Sequence, residues 1–272
     1  MRKAYSAMKY VCIAALVISM IALVAVVAYV LINGVDKISW NLVFGEYSDS
    51  APTVFPALVG TLQLVCIAAI IAVPIGVASA IFLVEYTNNK GKFVKIVQVA
   101  TETLAGIPSI VYGLFGYLIF VVAFGWGYSM LGGGITLAIM ILPTIVRSTQ
   151  ESLLSVQGGL REGAYALGTS KVRTIFKIVL PSAAGGIVTA IILAIGRVVS
   201  ESAVLILTIG MVVNKVPETL MAPGTSLALD IYYFASHGYP DEAAATAVVL
   251  LVFVMILNLL AGFIGNLITC CD

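Results

Sequence analysis

Apolar residues in this chain come in long unbroken runs. The stretches 11–32, 58–84, 97–124, 130–146, 183–213 and 243–268 are nearly free of ionisable side chains. A helix needs roughly 20 mostly apolar residues to cross the hydrocarbon core of a bilayer, so the pattern predicts six membrane-spanning helices. The 130–146 run is the weakest, because Gly132-Gly133-Gly134 interrupts it and the remainder is short for a crossing. Pro74 and Pro108 each remove a backbone donor inside a predicted span, so a kink is expected at both. The first run exceeds the roughly 7–15 apolar residues of a signal peptide and ends in Val30-Leu31-Ile32-Asn33, without the small residues of a cleavage site. It reads as a retained anchor.

Charge placement sets the orientation. Arg2, Lys3 and Lys9 open the chain, Lys90, Lys92 and Lys95 precede the third run, and Arg147, Arg161, Lys171, Arg173 and Lys177 follow the fourth. The positive-inside rule puts all three segments in the cytoplasm, so two crossings must separate the two loops and the 130–146 run is kept as a span. Both termini then fall inside. Lys37 and Lys215 lie in outer loops with Asp36, Glu46, Asp49, Glu218, Asp230, Asp241 and Glu242, and Trp40 and Trp126 sit on the same side, where indole rings favour the headgroup level. Within the last outer loop, 226–236 predicts a short amphipathic helix anchored at the interface. Composition agrees: 61% of residues are hydrophobic and 10% charged, where soluble domains carry about 45–50% and about 25%. The chain reads as one all-α integral membrane domain, 1–272, with its long cytoplasmic loop at 147–181.

Candidate chemistry is sparse. Cys12 and Cys66 fall in apolar runs and Cys270-Cys271 close the sequence, so no pair has zinc or disulfide spacing. All four read as small membrane residues, with lipidation of the terminal pair as the alternative. His237, the sole histidine, lies in a polar loop and reads as a surface residue. No catalytic triad, carboxylate pair or metal-ligand set stands out, and the phosphate-cradling G-x-x-x-x-G-K-[ST] loop is absent. Neither a cofactor nor ATP hydrolysis is expected of this chain, nor a nucleic-acid partner, and energy must come from elsewhere.

Two features stand out from the apolar background. The first is the basic stretch 161–181, which reads as a short helix stopping near Gly168, a natural left-handed terminator, then a second helix. That second helix exposes Lys171, Arg173 and Lys177 and groups Val172, Ile175, Phe176 and Val179 on an apolar side. Such an element either docks a cytoplasmic partner or lies on anionic lipid. The second feature is Arg197 near the centre of the fifth run, where an arginine costs about 2.5–3.5 kcal/mol on insertion scales. Glu201 follows four residues on, and a continuous helix would place Gly186, Arg197, Ser200, Glu201 and Thr208 on one polar face. Arg197 and Glu201 then serve an anion pathway, a static ion pair between helices, or the titrating relay of an ion-coupled carrier.

Glu162-Gly-Ala164, Gly168 and Ile178-x-Leu180-Pro181 reproduce the spacing of the EAA loop of ABC importer permeases, with Gly163 where that family usually has Ala. Further segments, 106–116, Ile195-Gly-Arg-Val-Val-Ser-Glu-Ser202 and Ser226-Leu-Ala-Leu-Asp-Ile-Tyr-Tyr232, resemble the PstA-type permeases of phosphate importers, which usually carry Gly-Glu-Thr where Ser200-Glu201-Ser202 stands here. The resemblance implies a six-helix type I ABC importer permease in a bacterial or archaeal inner membrane. It implies docking of an ATPase around Glu162, Ala164 and Gly168, with Leu180 and Pro181 ending the loop before span five. It points to Arg197 and Glu201 as the substrate pathway. The implied partners are a second permease subunit (PstC-like), an ATPase dimer (PstB-like) and an extracytoplasmic phosphate-binding protein (PstS-like), with membrane lipid around them. Another oxyanion, such as sulfate, molybdate or tungstate, remains the alternative substrate.

Overall fold

In lipid, backbone N–H and C=O groups find no water, so a spanning segment must satisfy them within itself, which the long apolar runs do by forming helices. The computed structural model describes residues 2–45, 47–48, 52–87 and 91–269. Lys90, Glu46, Asp49 and the Cys270-Cys271 pair lie outside the described residues. In chain order the helices are α1 (Arg2–Gly34), α2 (Trp40–Phe44), α3 (Phe55–Ile81), α4 (Lys92–Ala105), α5 (Ser109–Gly116), α6 (Met130–Ser155), α7 (Gly158–Ala166), α8 (Lys171–Thr174), α9 (Leu180–Val199), α10 (Ala203–Thr208), α11 (Leu227–Ser236) and α12 (Pro240–Thr269). Five stretches are long and apolar enough to cross a membrane: Met8–Lys37, Phe55–Tyr86, Met130–Ser155, Lys171–Val199 and Pro240–Leu260. The bent pair Val94–Ala105 with Ser109–Ala123 brings the number to six when it is counted as one span.

That bent pair corrects the expected continuous span 97–124. The chain turns by 97° between the two halves, at Gly106-Ile107-Pro108, where Pro108 cannot donate to the preceding turn and drives the residue before it away from helix. α4 is therefore a separate amphipathic helix packed on α6 through Val94 and Val97, with Lys92, Lys95, Ile96 and Val99 exposed. Pro74, by contrast, is accommodated inside a continuous α3. The expected fourth span was too short: α6 runs to Ser155 and carries Pro143 within it. Its glycine triplet does not interrupt it, because Ser129 caps the helix by accepting the Gly132 N–H at 3.2 Å. The glycines instead admit neighbours. A Cβ on Gly133 would lie 2.2 Å from Ile209 Cγ2, and one on Gly134 would lie 2.5 Å from Ile67 Cγ2, so α3 and α10 approach the α6 backbone as small residues permit in membranes.

The main core lies where α3, α5, α6, α9 and α10 meet, with Leu64, Leu137, Ile141, Ile145, Leu205 and Ile209 almost wholly buried. α1 packs on α12 at the periphery, with most of its side chains exposed along its length, as expected of an anchor surrounded by lipid. Contacts between distant segments agree with the charge-derived sidedness. Lys37 and Asp241, both assigned outside, pair at 2.6 Å, whereas Glu85 and Arg161, at the other end of the bundle, pair at 2.9 Å.

Two further expectations are corrected. α11 does not lie on the interface as a simple anchor, since Leu227, Leu229, Asp230 and Phe234 are buried and the Leu227 N–H donates to Thr61 Oγ1 at 2.9 Å. The fifth span ends at Val199 and not near residue 213. Beyond it the chain breaks at Ser200–Ser202 and restarts as the short α10.

Candidate functional site

The 158–181 element is built around a single turn. Gly168 adopts φ +76°, a conformation open to glycine at no steric cost. With it the Gly168 N–H reaches Tyr165 O at 2.9 Å and the Thr169 N–H reaches Ala164 O at 3.1 Å, a Schellman closure of α7. The left-handed stop read from the sequence is present. Ala164 is buried at 5% exposure, whereas Glu162 is exposed and Leu167, at the tip, is 88% exposed. The tip thus presents a carboxylate and a large apolar side chain to the outside.

The second helix of the element departs from expectation. Ile175 and Val179 are buried as its apolar side, but Val172 and Phe176 are exposed beside Lys171, Arg173 and Lys177. Ile178, Leu180 and Pro181, all half-buried, do not end a loop. They lie inside one continuous helix, Lys171–Val199, because Pro181 occupies the first turn of α9, where the missing N–H is tolerated, and a π-helical turn at Ile175–Val179 bridges α8 to it. This helix joins the 158–181 element directly to Arg197, about 39 Å along its axis from Lys171 at 1.5 Å per residue.

At its far end the expected single polar face is not formed. Arg197 lies in the last turn of α9, half-buried and within electrostatic reach of Tyr112. A cation there is favoured by the exposed carbonyls of a helix C-terminus. Glu201 lies past the break, its Oε1 accepting the Ala203 and Val204 N–H groups at 3.0 and 3.3 Å. The glutamate therefore caps α10, and among the described residues Arg197 makes no ion pair. Helical geometry assumed through residue 208 hid this, because nothing in the local pattern marked Ser200–Ser202 as a break.

Below Arg197 in the chain direction of α9, α6 and α9 border an open, shallow groove of about 460 Å3 lined by Ser148, Glu151, Ser152, Ser155, Gly186 and Thr189, among others, with Glu151 paired to Arg147 at 3.1 Å. Gly186, Ala190, Leu193 and Arg197 recur at spacings of four, three and four, which places them on one stripe of α9. Gly186 touches the other wall, since a Cβ there would lie 2.4 Å from Ser152 Oγ. The hydroxyls of Ser152, Ser155 and Thr189 donate to their own helices, so each is satisfied without neighbours and keeps acceptor capacity toward the groove. Glu102, in the last turn of α4, is exposed and faces Arg147 at 3.7 Å.

The sequence reading passed over one residue pair. Arg161 donates through Nε and Nη2 to Glu85 Oε1 at 3.1 and 2.9 Å, and through Nη1 and Nη2 to Val156 O and Leu153 O at 2.9 and 2.8 Å. A carboxylate standing alone at the end of an apolar run was the available signal, but its partner is 76 residues away. Asp230, counted among solvated outer-loop charges, is fully buried. The Thr225 hydroxyl donates to its Oδ1, while Oδ2 has no partner. Burial pushes its carboxyl up to about 8, the Thr225 bond opposing the rise. Among the described residues no cluster of three metal-ligating side chains occurs.

Comparison with known proteins adds to this geometry. Residues 72–269 match the model of the family described as "Binding-protein-dependent transport system inner membrane component". The probable ABC transporter permease protein YqgI of Bacillus subtilis (strain 168) is 33% identical over 264 residues, 90% of each chain. The phosphate transport system permease protein PstA 1 of Mycobacterium tuberculosis (strain CDC 1551 / Oshkosh) is 36% identical over 216 residues, 78% of this chain and 70% of that one. A PstA homolog of Mycoplasma pneumoniae is 36% identical over 88% of this chain, which spans only 38% of that protein. Among solved structures, a chain of the bacterial alginate ABC transporter in complex with an alginate pentasaccharide-bound periplasmic protein superposes with a TM-score of 0.71 at 16% identity, covering 96% of this chain and 95% of that one. An inward-facing MetNI methionine transporter gives 0.63 at 21%, over 79% and 94%.

Proposed function

Since the chain belongs to the family of binding-protein-dependent transport system inner membrane components, we propose that it is the PstA-like subunit of an importer of inorganic phosphate. It is a multi-pass inner-membrane ABC permease subunit with the helical architecture of type I importers, and it is not itself the ATPase. That assignment sets aside the ion-coupled carrier. The partners that follow are an ATPase and an extracytoplasmic binding protein, with a second permease chain completing the pore.

The observation that carries the phosphate reading is Arg197, a cation on a spanning helix with no carboxylate partner among the described residues. An unpaired guanidinium recognises a tetrahedral oxyanion through a charge-assisted fork, and a membrane arginine without a counter-ion is expected to face a polar path. Glu201, held on the α10 backbone, lowers the local positive field without binding the arginine, so the anion is attracted and then released. The groove lined by Ser148, Ser152, Thr189 and Gly186 continues that stripe toward the cytoplasm, and Arg147 offsets the charge of Glu151 at its edge. The relatives named PstA support phosphate over the other oxyanions. The 158–181 element, with Glu162, Ala164, Gly168, Ile178, Leu180 and Pro181, couples the ATPase to the pore. ATPase closure moves the α7 tip, and the unbroken helix from Lys171 carries that movement to Arg197.

The test is uptake of radiolabelled phosphate at low external concentration in cells with and without this gene. Sulfate and molybdate serve as competitors. Uptake that falls without the gene, with competition by phosphate alone, is expected. Unchanged phosphate uptake, or equal competition by sulfate, overturns the substrate.

A further inference from the structure

α7 is held weakly by packing. Ala164 is its one buried side chain, and it enters through Gly158-Gly159, where an added Cβ would meet nothing within 4 Å. Its packing partners are α8 and the π-helical turn that follows. Among the described hydrogen bonds and ion pairs, every tie from α7 to α3 and α6 runs through the Arg161 guanidinium.

That guanidinium is well placed for the task. Its side chain is 19% exposed and that of Glu85 only 6%, so the pair is shielded from the water and salt that weaken surface ion pairs. A fork of two bonds fixes Glu85, at the end of the helix that continues α3. The remaining donors satisfy Leu153 and Val156 carbonyls, which the end of α6 leaves without intrahelical partners. One side chain thus closes three segments at a point: the cytoplasmic ends of α3 and α6 and the start of α7. Lys171 adds a parallel contact, its ammonium 4.9 Å above the Tyr86 ring.

We propose that Arg161 is a positioning residue that clamps the coupling helix to Glu85 and to the α6 end, so that displacement of the docked ATPase moves α3, α6 and α9 together. Without it, motion of the tip is absorbed at Gly158-Gly159 and reaches the ends of α3 and α6 only indirectly, through their packing on Val179, Ala183 and Ile187. The inference rests on the reading of α7 as the ATPase-docking element.

The experiment uses the complete transporter in proteoliposomes with its binding protein and phosphate as probe, comparing Arg161→Ala, Arg161→Lys and Leu167→Asp. In Arg161→Ala the ATPase stays bound and hydrolyses ATP, but phosphate moved per ATP falls about tenfold, the size of effect expected of one strong link in a coupled network. Arg161→Lys restores a charge for Glu85 but not the carbonyl bonds, and recovers part of the loss. Spin labels at positions 154 and 166, both exposed and neither a named docking residue, give a narrow distance distribution in the parent and a broad one in Arg161→Ala, and this readout is independent of transport. Should Arg161→Ala fail to assemble, Glu85→Gln, which keeps the side-chain shape, is held to the same two measurements. Parent-like transport per ATP, or an unbroadened distance, overturns the clamp. Leu167→Asp separates the two readings: if the ATPase still binds it with full affinity, the docking role of α7 falls. If binding is lost there while Arg161→Ala transports normally, only the clamp falls.

Discussion

Replacing Asp230 with asparagine should remove a pH dependence from the outer face of the protein. α11 lies outside the spanning helices, and its Asp230 carboxyl is fully buried with one oxygen unpartnered. Burial is the dominant cause of its altered proton affinity, and Thr225 is the sole other contributor. The folded carboxyl, at about 8, stands above the ordinary carboxylate value of 3.8, so the packed form holds a proton that the opened form releases. The stability this confers is fully present below about pH 4 and is lost as pH rises through about 8. Linkage for one proton gives about 1.4 kcal/mol per pH unit over that window, on the order of 5 kcal/mol in full. Expressed as local opening of α11, each unit between pH 5 and 7 raises the opening constant about tenfold. Amide hydrogen exchange of 227–236, corrected for the intrinsic rate, reads this directly in nanodiscs. Asp230→Asn keeps the shape and the oxygen that accepts from Thr225, so its opening constant should be flat with pH and lower than the parent's at pH 7. The same slope in parent and variant would refute the argument, because the proton would then belong to another group.

Further outcomes follow from the same geometry. Arg197→Ala should abolish phosphate uptake while the ATPase still co-purifies, and loss of assembly would instead assign Arg197 a structural role. Gly168→Pro removes the N–H that reaches Tyr165 O and forbids the positive φ, so ATPase co-purification or coupling should be lost. Normal coupled uptake in that variant would exclude the docking turn. Gly134→Val drives a side chain into Ile67 and should destabilise the α3–α6 contact by about 1–3 kcal/mol, seen as a lower melting temperature in detergent.

Much of the architecture was legible because lipid enforces a simple rule: a long apolar run must become a helix, and lysines and arginines are in excess on the cytoplasmic side. The runs that became α1, α3 and α12, and the Gly168 turn, therefore needed no tertiary information. The EAA spacing was equally local, since Glu162, Ala164 and Gly168 occupy one short helix and its stop. Breaks were harder to see. Pro108 gives a 97° turn and Pro74 none that ends its helix, because neighbouring packing decides whether freed carbonyls can be satisfied in place. The break after Val199 carries no proline or glycine at all, and it depends on Glu201 accepting the first N–H groups of α10.

Which charge meets which was beyond the sequence. Arg197 and Glu201 stand four apart and do not pair, whereas Arg161 and Glu85 stand 76 apart and do. Asp230 carries the same formula as any solvated loop aspartate, and only the packing of α11 against Thr61 and Thr225 takes it out of water. Hydrophobicity is a property of each segment and its solvent, so the sequence alone determined that the chain is a bundle of membrane helices and where α1, α3 and α12 run. Pairing, capping and burial of the few polar groups are properties of distances between segments, and the tertiary structure alone decided those.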